Sequence, residues 1–61
     1  MDGILDFITD YESGEATEDE TLEGFAMLIR TGLAWTFQGH YGRVAASFIE
    51  DGLIDTEGNI L

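Results

Sequence analysis

The segment Thr17-Glu18-Asp19-Glu20, followed by Leu22, Phe25, Leu28 and Ile29 and closed by Thr31-Gly32-Leu33, spells out one complete helix. The Thr17 hydroxyl can accept the backbone N–H of Glu20 while the Glu20 carboxylate reaches back to the N–H of Thr17, the reciprocal pattern of a capping box. Glu18, Asp19 and Glu20 fall in the first turn, where the helix dipole favours negative charge. The apolar residues recur at i, i+3, i+6 and i+7 and make one face. Gly32 at C′, with Leu33 turned back on Leu28, makes a Schellman end. A helix starting at about 18 with one apolar face needs other elements to cover it.

The flanking sequence supplies them. Asp2 is a plausible N-cap for a helix over about 3–13, in which Ile4, Leu5, Ile8 and Tyr11 lie at i, i+1, i+4 and i+7 with Phe7 beside them. Gly14 stops it, and residues 15–19 read as a short polar connection. Leu33 to Gln38 is either a short helix or an extended connection, since six residues do not separate the two by periodicity. Gly39 and Gly42 bracket His40-Tyr41 and permit a sharp turn. Tyr41, Val44, Ala45, Phe48 and Ile49 then form a helical stripe over about 41–51, ended by a second Schellman pattern, Asp51-Gly52-Leu53. In the tail, Asp55-Thr56-Glu57-Gly58 is a turn between two apolar pairs, and Gly58 suits a left-handed position, so a tiny hairpin can form there.

The expected fold is therefore all-α: one domain over 1–61 with three main helices, a short extra helix at 33–38 as an option, and a rudimentary C-terminal hairpin. The expected core is Ile4, Leu5, Ile8, Tyr11, Leu22, Phe25, Leu28, Ile29, Leu33, Trp35, Val44, Ala45, Phe48 and Leu53. A chain of this size buries only about 60% of its unfolded surface. With no cysteine, neither a disulfide nor a thiolate metal site is available, and apolar packing must carry the stability. No basic stretch followed by a long apolar run opens the chain, which points to a soluble protein with no secretory signal and no membrane partner.

Charge is sharply partitioned. Of 13 acids, nine lie in residues 1–23 (Asp2, Asp6, Asp10, Glu12, Glu15, Glu18, Asp19, Glu20 and Glu23) and four in residues 50–61 (Glu50, Asp51, Asp55 and Glu57). Residues 24–49 contain none, and they hold Arg30, Arg43 and His40, so a segment of formal charge +2 sits between two acidic blocks in a chain of net charge −11.

From Tyr11 to Gly52 the chain resembles a family of small uncharacterised proteins encoded by tailed bacteriophages. The likeness rests on Tyr11-Glu12-Ser13-Gly14-Glu15, on the acidic lead into the second helix, and above all on Thr31-Gly32-Leu33-Ala34-Trp35 followed by Gln38-Gly39-His40-Tyr41-Gly42-Arg43. The resemblance implies a phage origin and action in the cytoplasm of an infected bacterial host. It implies no reaction and no catalytic residues.

Two functional readings compete. Carboxylates spaced along helices can imitate a row of phosphates and occupy a basic site on a host protein. That reading makes Glu12, Glu15, Glu18 and Asp19 partner-binding, joined by Trp35, His40, Tyr41 and Arg43, because an exposed aromatic beside an arginine has the composition of an interface hot spot. The bland counterpart is that the acids are a solvated face and Trp35 is core. The alternative is a helix-turn-helix or winged-helix DNA binder built from residues 33–61, with His40, Arg43 and Ser47 facing the duplex. Two arginines neutralise few phosphates, which disfavours nucleic acid. A homodimer hiding the aromatic residues is a further arrangement. A lone His40 without cysteine or a paired nucleophile makes no catalytic constellation, so neither enzymatic activity nor a cofactor is expected. Asp55, Glu57 and Asn59 alternate as calcium ligands do, but Gly58 is misplaced for an EF-hand loop and no metal is expected either.

Overall fold

The structure is a computed structural model that describes residues 3–37 and 39–61. Four helices follow one another, α1 (Ile4–Ser13), α2 (Glu18–Thr31), α3 (Leu33–Thr36) and α4 (His40–Glu50), and the tail closes with an antiparallel bridge between Ile54 and Ile60. Among the described residues no strand longer than that bridge occurs. The all-α expectation, the optional short helix and the rudimentary hairpin are all present. Asp2 and Gln38, expected as the first N-cap and the end of the 33–38 helix, lie outside the described residues. The position before α1 is occupied by Gly3, which makes no side-chain cap.

Helix ends follow the local chemistry. At α2 both halves of the capping box form: Glu20 N–H donates to Thr17 Oγ1 at 3.1 Å, and Thr17 N–H donates to Glu20 Oε1 at 3.0 Å. At the end of α4, Gly52 N–H reaches Ile49 O at 3.1 Å and Leu53 N–H reaches Phe48 O at 3.0 Å, the two bonds of a complete Schellman motif. The end of α2 departs from that pattern. Gly32 N–H does reach Ile29 O, but the Thr31 hydroxyl bonds back to Met27 O and Leu28 O, and Leu33 N–H turns to Thr31 Oγ1. The chain thus re-enters a helix at Leu33 rather than folding back on Leu28.

The core is Phe25, Ala26, Leu28, Ile29, Ala34, Tyr41, Ala45 and Ile54, with Ile4, Phe7, Tyr11, Leu22, Leu33, Phe37, Val44, Phe48 and Ile49 packed around it. Phe25 is its centre: its ring lies 5.6 Å from Phe7, 5.4 Å from Tyr11, 6.0 Å from Tyr41 and 5.4 Å from Phe48, so one side chain on α2 meets both α1 and α4. Four expected core residues are outside it, and of these Ile8 is half-buried without joining the cluster. Leu5 is 72% exposed, Trp35 53% and Leu53 44%. The displacements of Leu5, Trp35 and Leu53 each have a local cause. Phe7, rather than Leu5, turns inward because Gly24 leaves room for its ring against the α2 backbone. Ala34 takes the buried place on α3 because α3 and α4 approach backbone to backbone: a Cβ at Gly42 would sit 3.4 Å from Ala34 O. Trp35 is too large for that gap and lies beside Gly42 instead. After the Schellman turn it is Ile54, not Leu53, that goes under the core, fixed by its bridge to Ile60.

The tail is tied down more firmly than its length suggests. Asp55 Oδ1 accepts the N–H groups of Glu57 and Asn59, both at 2.9 Å, and Oδ2 accepts Asn59 Nδ2 at 3.1 Å, which holds the Asp55 carboxyl below its ordinary range. This alternation of polar residues, which resembles a cation loop on paper, is an internally bonded turn. Gly58 (φ +89°) lies against α2, and Arg30 Nη2 donates to its carbonyl at 3.1 Å.

Two substitutions test this packing by urea denaturation followed by circular dichroism. Gly24→Ala is expected to destabilise by about 1–3 kcal/mol through overpacking against Phe7, against the gain of about 1 kcal/mol that helix propensity alone assigns to it. Gly58→Ala should cost about 2 kcal/mol or more, since it combines a left-handed backbone with a Cβ placed 2.7 Å from Ala26 O. A stabilised Gly24→Ala variant would mean that Phe7 is not seated on α2.

Candidate functional site

The eight residues singled out from the sequence separate into three places. Glu12, His40 and Tyr41 come together where the end of α1 meets the start of α4. The Tyr41 hydroxyl donates to Glu12 Oε2 at 2.7 Å, and His40 Nε2 and the Tyr11 hydroxyl are 3.1 Å apart, with the donor set by the histidine tautomer. The His40 ring stacks on Tyr41 at 4.6 Å and lies 5.5 Å from Tyr11. Tyr41 is only 7% exposed. Burial, then the bond to Glu12 and the charge of that carboxylate, push its phenol up to about 12. These groups latch α1 to α4, and Tyr41 offers a partner little surface.

Trp35 and Arg43 occupy the α3–α4 side. Both are exposed, and Trp35 borders Gly42. Of the two arginines, Arg30 is committed to the tail through Gly58, which leaves Arg43 as the exposed cation of α4. The C-terminal bridge packs against α2 rather than standing clear of α4 as a wing would.

Glu15, Glu18 and Asp19 lie in the connection and the first turn of α2. Glu20, their neighbour, is used in the capping box, whereas Glu18 and Asp19 line an open groove of about 470 Å³ together with Ala16, Thr21, Leu22, Phe48 and Leu53. The acids sit at the rim, and Leu22, Phe48 and Leu53 make an apolar floor between the start of α2 and the end of α4. The sequence places Phe48 and Leu53 in the core; Phe48 does pack against it while also lining the groove, and Leu53 is 44% exposed. The signal that could have placed Leu53 here is the Schellman pattern itself, which sets it over Phe48 at a helix end, where surface is still open.

The charged side chains of this region are all at the surface. Asp6, Asp10, Glu12, Glu15, Glu18, Asp19, Glu20 and Glu23 are all exposed, and no buried charged residue occurs among the described residues. No group of three or more His, Cys, Asp or Glu among them is arranged to hold a metal ion, and no helix among them is long and apolar enough to cross a membrane.

Residues 1–61 match the model of a family described as Domain of unknown function (DUF7417), and the chain belongs to that family. No curated protein and no solved structure matches it.

The α1–α4 latch makes a pH prediction. Because the folded-state value of Tyr41 is raised above the ordinary 10.0, the stability it contributes is complete below pH 10 and is lost as pH rises toward about 12. Tyr41→Phe should lower stability near neutral pH by about 1 kcal/mol through the lost hydrogen bond. It should also remove the part of the alkaline decline due to this phenol, read from urea midpoints at pH 9 and pH 11.

Proposed function

We propose that this member of the DUF7417 family is a phage-type interaction protein, without enzymatic activity, that acts in the cytoplasm of an infected bacterium by binding a basic surface of a host protein. One observation carries the reading. Eight carboxylates are exposed along α1, the connection and α2, and no basic residue precedes Arg30. Beyond the capping box of Glu20, the Glu12–Tyr41 bond and the dipole contribution of the first turn of α2, a fold gains little from such crowding, because like charges raise the free energy of the compact state. A cationic partner turns the same field into steering and complementarity. The phage context rests on the resemblance carried by Thr31 to Trp35 and Gln38 to Arg43.

The contact face on this reading is formed by Glu12, Glu15, Glu18 and Asp19, which can stand in for a row of phosphates on a site that normally takes nucleic acid. Trp35 and Arg43 form a second patch on the α3–α4 side, and its single exposed arginine gives a DNA duplex little to hold.

The test is capture from bacterial lysate by the tagged protein, with and without nuclease and at low and high salt. The parent should retain a discrete protein that survives nuclease and is released by salt. Glu15→Gln with Glu18→Gln and Asp19→Asn should weaken that capture at least ~10-fold, each charge contributing a fraction of a kcal/mol to about 1 kcal/mol, while Arg43→Ala leaves it within about twofold. Retention abolished by nuclease, or capture unaffected by the triple change, overturns the reading.

A further inference from the structure

The groove at the start of α2 narrows the class of partner, on the reading that the acidic face binds protein. Its floor and rim are chemically distinct. Leu22, Phe48 and Leu53 present apolar surface, with Leu53 left 44% exposed, while Glu18 and Asp19 stand on one wall. Its volume of about 470 Å³ accepts a few side chains and not a folded domain, within the range of roughly 300–1,000 Å³ typical of ligand sites.

We propose that this groove seats a cationic amphipathic segment of the partner, with one apolar side chain on the Leu22–Phe48–Leu53 floor and a neighbouring Lys or Arg against Glu18 and Asp19. Charge complementarity selects the occupant. An anionic or phosphate-bearing ligand would meet two carboxylates at the rim and a net charge of −11 behind them. A neutral apolar ligand would cover those carboxylates without pairing them, which costs free energy. A second copy of this chain would set −11 against −11. A segment that combines an apolar residue with a cation satisfies floor and rim together. Arginine fits best, since its planar fork matches a carboxylate in two hydrogen bonds. The apolar contact also gives the acidic face a selectivity that charge alone lacks, because it separates an amphipathic basic segment from any other basic surface.

The experiment titrates the isotopically labelled full chain with three short synthetic peptides and reads backbone amide shifts: one of Leu and Lys, one of Gly and Lys with equal charge, and one of Leu and Glu. The Leu–Lys peptide is expected to shift Thr21, Leu22, Phe48 and Leu53 most, to bind about tenfold more tightly than the Gly–Lys peptide, and the Leu–Glu peptide not to bind. Leu53→Ser should weaken the Leu–Lys peptide about tenfold. Glu18→Gln with Asp19→Asn should weaken it and flatten its salt dependence without touching the floor, so the result does not hang on the folding of either variant. Equal binding of the Leu–Lys and Gly–Lys peptides, shifts centred on Trp35, or no binding overturns the groove assignment and leaves the acidic-face reading to the lysate experiment. Concentration-dependent shifts at the same residues without peptide would make a second copy the occupant and also overturn it.

Discussion

Everything in this fold hangs on the Phe25 ring. It is fully buried on α2 and touches Phe7 and Tyr11 of α1 and Tyr41 and Phe48 of α4, four aromatic neighbours drawn from two other helices. Aromatic pairs in such geometries contribute about 0.5–1.5 kcal/mol each beyond the area they bury. In a domain whose whole stability is of order 3–9 kcal/mol, that cluster is a large share. The other contacts follow from it. Gly24 lies next to Phe25 and admits Phe7, the neighbouring rings of Tyr11 and Tyr41 bring His40 and Glu12 into the latch between α1 and α4, and Phe48 ends up close enough to the start of α2 to floor the groove.

Local chemistry was the part of this structure that could be read from the chain. Thr17 and Glu20 announce the start of α2, Gly52 and Leu53 announce the end of α4, and Gly58 announces the turn in the tail, because each depends only on residues within one helical turn. What depends on distance was not legible. Leu5 and Phe7 lie on different sides of α1, and only the vacancy at Gly24, 17 positions from Phe7, decides between them. Trp35 looks like core by composition and is displaced by the close approach of α3 and α4 through Ala34 and Gly42. In the candidate site the residue types were legible and their grouping was not. Glu12 and Tyr41 are 29 positions apart, as are Tyr11 and His40, and nothing local pairs them.

The acids divide into those the fold uses and those it does not. Glu12 accepts from Tyr41, Glu20 completes the capping box and Asp55 ties its own turn. Glu15, Glu18 and Asp19 are exposed in the connection and the first turn of α2, where the helix dipole gives the latter two only a few tenths of a kcal/mol to about 1 kcal/mol each. The rest of the chain offers little opposite charge, since one of its two arginines is bonded to the Gly58 carbonyl. The acidic surface is thus largely unused by the core of a small fold, which is the feature the proposed partner would explain.

That claim is tested most directly by the melting temperature of the isolated protein as sodium chloride is raised from about 10 mM to about 500 mM, over which the screening length falls from roughly 30 Å to a few Å. If the carboxylates repel one another without compensation in the fold, screening stabilises the native state by about 1 kcal/mol and the midpoint rises by about 4–8 °C. A midpoint that stays level or falls would show that the fold already balances its charge, and the acidic face would then need no partner to explain it.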